Sequence, residues 1–144
     1  MNSTWLEINL RLIGLTQLLL ALSHLSFKRQ FDWERDLQQL SLLNRQVFYV
    51  HTFFIAFTVF LMGLLSAFGA KQLISPSPLA SFLSAGLTLF WLARLYCQFF
   101  YYDKQLWKNQ PFRTAVHIIF SFAWIWYSGI YLLVFIHQIG NLRL

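Results

Sequence analysis

The stretch from Leu79 to Tyr102, LASFLSAGLTLFWLARLYCQFFYY, decides how the rest of this chain is read. It is long enough to cross a bilayer, because about 20 apolar residues span the hydrocarbon core, yet it carries Arg94. Arg94 lies eight residues before Tyr102, which at roughly 1.5 Å of rise per residue sets its Cα about 12 Å inside that end. A charge at this depth is costly and normally faces a bundle interior or a wet cavity, so the span needs neighbours. Helical steps of three and four from Arg94 reach Gln98 and Tyr101, which makes Arg94, Gln98 and Tyr101 one polar stripe.

The neighbours are in the sequence. Apolar runs cover about residues 10–27, 47–69 and 114–136 in addition to 79–102. Charged residues are 11% of the chain, against about 25% in soluble globular domains, and a soluble core of this size would not absorb the remaining apolar surface. The expected fold is therefore an all-α integral membrane protein, a single domain over residues 1–144 built as an antiparallel four-helix bundle. Residues 28–45 are too polar to span, but Trp33, Leu37, Leu40 and Leu43 recur at helical spacing behind Asp32, a candidate N-cap. A short amphipathic interfacial helix is expected over about 32–44. Gly63 and Ala67 form a small-xxx-small pair suited to close helix approach, and Pro76 and Pro78 are expected to end the second span and start the third.

Basic residues set the expected orientation. Lys28, Arg29, Arg35, Arg45, Lys104, Lys108 and Arg113 lie in two connections on one side, against Arg11, Lys71 and Arg143 on the other. The positive-inside rule makes the first side cytoplasmic and places both termini outside an inner or plasma membrane. The formal net charge of +6 is thus accounted for by topology rather than by a nucleic-acid surface. The N-terminus carries Glu7 and lacks a small-x-small cleavage site, so no cleavable signal peptide is read there. Cys97 is the sole cysteine, which rules out an intrachain disulfide or a CxxC pair; it is expected to be a small buried apolar residue.

In an antiparallel bundle His24, His51 and His117 each fall three or four residues from the cytoplasmic end of a helix. Neutral imidazole is the commonest metal ligand and also binds haem iron, so these three are the candidate metal ligands, for haem or a transition-metal ion. Arg94, Gln98 and Tyr101 are the candidate cofactor-binding residues, with Arg94 able to neutralise a propionate, a quinone oxygen or another anion. His117, Ser121, Trp124 and Ser128 share the least apolar face of the fourth span, and His137 at the other end is read as interfacial. No nucleophile elbow, phosphate loop or zinc-protease motif occurs, and the histidines do not form HxxH clusters. Three functions fit: electron transfer or redox chemistry at a histidine-lined site, a non-enzymatic accessory or assembly subunit, or a carrier or channel with Arg94 in an anion path, which four short spans would need to oligomerise to make. The partners would be the lipid bilayer and other membrane subunits or further copies of the chain, with no nucleic acid.

Overall fold

The computed structural model describes residues 2–30, 32–107 and 109–142, so Lys108 and Arg143, two of the basic residues used for orientation, lie outside the described residues. Every regular element among those described is helical: α1 (Ser3–Gln30), α2 (Trp33–Leu37), α3 (Leu42–Phe68), α4 (Ala70–Ile74), α5 (Pro78–Phe100) and α6 (Pro111–Leu142), with a 3-10 turn at Lys104–Leu106. Four of them, α1, α3, α5 and α6, contain segments long and apolar enough to cross a membrane.

The helix ends follow local chemistry. Asn2 Oδ1 accepts from Thr4 N at 3.0 Å ahead of α1, and Ser77 Oγ accepts from Ala80 N at 3.1 Å ahead of α5. Such caps satisfy amides that have no partner inside the helix. Pro78 occupies the first turn of α5, where its missing N–H costs nothing. The second span, however, stops before the prolines. Its last turn closes on Gly69, whose N–H donates to Leu65 O, and the short α4 intervenes before Pro76.

The expected interfacial helix over 32–44 is reduced to the five residues of α2, because Leu42 to Asn44 already belong to α3, capped by Ser41. Asp32 does stand at the N-cap of α2, but with left-handed backbone (φ 48°) and no side-chain bond to the helix. Its main-chain carbonyl instead accepts from Arg35 N and Asp36 N. Leu37 is buried while Leu40 and Leu43 are exposed. Spacing alone had grouped these leucines, but the break at 38–41 separates their faces.

The described residues divide into two compact units, 10–70 and the combination of 1–9 with 71–144. Within 10–70, α1 crosses α3 at small residues. A Cβ added to Gly14 would lie 2.7 Å from Ala67 Cα and 2.7 Å from Gly63 O, so the backbones touch where Gly63 and Ala67 offer no bulk. The small-residue pair of α3 is thus occupied by α1 of the same chain. Beside it Arg11 donates to Ala67 O at 3.0 Å, giving a cation and a hydrogen bond to the carbonyl end of α3. Rings continue the unit, with Trp33 edge-on to Phe48 at 4.9 Å and to Phe27 at 6.4 Å.

The other unit is organised by α5 and α6, a hairpin with a constant register. Ser77 meets Gln138, Trp91 stacks on Trp124 and Gln98 meets His117, so contacting positions sum to 215 from one end to the other. Gln138, fully buried, holds the start of the hairpin: Oε1 accepts from Ser77 N at 3.1 Å, and Nε2 donates to Leu73 O at 2.6 Å and Ser75 O at 3.1 Å. One side chain thereby satisfies three main-chain groups of the α4–α5 connection. Trp126 Nε1 donates to Asn9 Oδ1 at 3.1 Å in the same unit.

Candidate functional site

The polar stripe of α5 and the polar face of α6 meet at Gln98. Arg94 and Gln98 are one turn apart on α5, and the guanidinium donates to Gln98 Oε1 at 3.2 Å. Trp124 Nε1, from α6, donates to the same oxygen at 3.3 Å. Both are obligate donors, which fixes the amide orientation and turns its NH2 toward His117. Gln98 Nε2 lies 2.6 Å from His117 Nδ1 and 3.5 Å from His117 O. His117 Nδ1 is therefore the acceptor, and the proton of the neutral ring sits on Nε2. Gln98 is buried, and Ser121 next along the α6 face returns its hydroxyl to His117 O at 2.8 Å.

Rings enclose the network. The Arg94 guanidinium carbon is 5.1 Å from the centroid of Trp124 and 5.7 Å from that of Tyr102, within cation–π range. Trp124 is itself packed between Phe120 (5.2 Å) and Trp91 (4.8 Å), and Trp107 from the connection stacks on His117 at 4.3 Å. Arg94 is half-buried, and among the described residues of its unit no carboxylate pairs with it. The aromatic faces and one neutral amide oxygen disperse the charge without neutralising it.

Of the expected residues, Arg94, Gln98 and His117 come together. Tyr101 does not join them; it is 80% exposed with its ring against Tyr102. Tyr101 keeps helical backbone as the C-cap of α5, its N–H donating to Cys97 O, but its side chain is turned outward, and Tyr102 beyond the cap supplies the ring over Arg94. Trp107, Trp124 and Tyr102 are the contributors that spacing from Arg94 did not single out for this role. Cys97, expected to be buried, is exposed.

His24 and His51 belong to the 10–70 unit. His24 Nδ1 lies 2.8 Å from Leu20 O; a carbonyl accepts, so Nδ1 donates and the Nε2 lone pair stays open. That is the opposite tautomer from His117. His51 is exposed. With Gly14 opposite Gly63 and Ala67, straight helices put His24 level with Ile55 and His51 level with Lys28, about 6 Å apart along the axis. Their Cβ bonds tilt toward opposite ends, since each tilts toward its own N-terminus. Among the described residues no three His, Cys, Asp or Glu side chains gather where they could hold a metal ion.

No known protein family, curated protein or solved structure matches the chain.

Proposed function

We propose that this is an antiparallel four-span membrane bundle whose α5–α6 hairpin binds a small carboxylate- or phosphate-bearing anion at Arg94, close to the cytoplasmic face. The orientation follows the basic connections over 28–45 and 103–113, with both termini outside. The observation that carries the reading is the state of Arg94: an intramembrane cation with one bond to a neutral oxygen, two aromatic faces and no carboxylate partner among the described residues of its unit. A guanidinium has five N–H donors, so most of its donor capacity remains for an incoming anion. Gln98, clamped by Trp124 and His117, holds the guanidinium in place, which lowers the ordering cost of binding.

Titration calorimetry of the purified chain in a neutral detergent, with oleate and inorganic phosphate as probes, tests this. Arg94→Gln should weaken the tighter probe by about 10- to 100-fold, the worth of one charge-assisted hydrogen bond or more, while Arg94→Lys recovers part of it. Equal binding by wild type and Arg94→Gln would remove the proposal.

The haem or metal reading keeps one specific support, the open Nε2 lone pair of His24. A Soret band or bound metal that is lost in His24→Ala, but kept in His137→Ala, would favour that reading over the anion site.

A further inference from the structure

A groove of about 700 Å³ opens beside the start of α6, lined by Trp107, Asn109, Gln110, Thr114, Ala115 and Ile118. It lies outside the Arg94 network and shares with it the indole of Trp107, which also meets the rings of His117 and Tyr102. The wall is pinned by Thr114, whose hydroxyl donates to Trp107 O and Gln110 O, both at 3.0 Å.

The groove changes character along its length. At one end are the amide side chains of Asn109 and Gln110 and the beginning of a 32-residue helix with no acidic residue in its first turn. The first helical bond is made by Thr114 N to Gln110 O, so the amides of Phe112 and Arg113 precede the internal ladder. Arg113, in that same first turn, adds a positive charge. At the other end Ala115 and Ile118 lead, at helical spacing, to exposed Phe122 and Ile125 on the same face of a membrane-spanning segment.

We infer that this groove seats an anionic phospholipid of the surrounding leaflet. Its phosphate is held at the Phe112 and Arg113 amides with the Arg113 charge from the same turn, and an acyl chain follows Ala115, Ile118 and Phe122. Charge complementarity selects the headgroup, since a helix N-terminus and a basic side chain beside it both favour an anion. The apolar lane selects a lipid over a soluble anion, because it continues into the span, where hydrocarbon is the available solvent. An interfacial tryptophan at the junction of the two ends suits the headgroup boundary.

Native mass spectrometry of the full chain, loaded with equimolar phosphatidylglycerol and phosphatidylcholine of identical acyl chains, tests the inference. Phosphatidylglycerol should be retained about fivefold over phosphatidylcholine, as expected for one basic residue meeting an anionic headgroup. Arg113→Gln should bring the two to parity, Ala115→Trp should reduce retention of both by filling the lane, and Arg94→Gln should change neither. Parity in the wild type, or a preference that survives both groove variants, would overturn the site. Displacement of the lipid by inorganic phosphate would show a free-anion site instead, and loss of the preference in Arg94→Gln would move the lipid to the other network.

Discussion

Replacing Gln98 separates the structural from the binding role of the polar network, because two substitutions act in opposite ways. Gln98→Leu removes the acceptor of Arg94 and Trp124 and the donor of His117 at once. Trp124 is buried, so its stranded indole N–H costs about 1–3 kcal/mol. Arg94 and His117 are half-buried and partly recover hydration, and each lost bond there costs about 0.6 kcal/mol, the usual size inside membrane bundles. The total is about 2–4 kcal/mol of lost stability, readable as an earlier unfolding midpoint when dodecyl sulfate is titrated into the protein in mild micelles. Gln98→Glu keeps an acceptor for Arg94 and Trp124 and adds a carboxylate one turn from the guanidinium. His117 then has to carry a proton on Nδ1. Stability should stay within about 1 kcal/mol of wild type, an acidic partner offsetting the altered His117 contact. Anion binding should nevertheless fall at least about tenfold, since the internal carboxylate now competes for Arg94. A wild-type midpoint for Gln98→Leu would refute the hub role of Gln98, and undiminished oleate or phosphate binding by Gln98→Glu would refute the receptor role of Arg94.

Three further outcomes are expected. Gly14→Leu should destabilise the protein by more than about 3 kcal/mol by forcing α1 off α3, whereas Gly86→Ala and Gly129→Ala, which meet nothing within 4 Å, should be neutral or stabilise by up to about 1 kcal/mol; circular-dichroism melts in detergent compare them directly. Gln138→Leu strands Ser77 N and two carbonyls of the α4–α5 connection, and should raise proteolysis between residues 71 and 77 before any global loss of helix. Single cysteines at positions 38 and 105, in a Cys97→Ser background, should be labelled from the cytoplasmic side; labelling of both solely from outside would reverse the topology.

The four long helices were legible from the chain because membrane-scale apolar runs leave few alternatives: the backbone must satisfy its own hydrogen bonds wherever water is absent. Local spacing also held for several partners that sit on one uninterrupted helix. Arg94 and Gln98 are four residues apart and bonded, and Ser121, Trp124 and Ser128 do share the buried face of α6. Spacing failed at Leu40, beyond the end of α2 at Leu37, because periodicity extrapolates a rotation that the chain has already abandoned, and at Tyr101, the C-cap of α5, because a shared helical face does not decide which side chain a neighbour covers.

What the tertiary structure alone decided lies between helices. Nothing local to Gln138 points to Leu73, Ser75 and Ser77, and nothing near Gly14 points to Ala67. The histidines make the same point chemically: identical side chains at similar distances from helix ends carry opposite tautomers, because His24 faces a carbonyl of its own helix and His117 an amide donor from another. A sequence records which groups are available and their order along the chain. Which acceptor meets which donor is set by the rotation and register of packed helices, and those depend on side chains tens of residues apart.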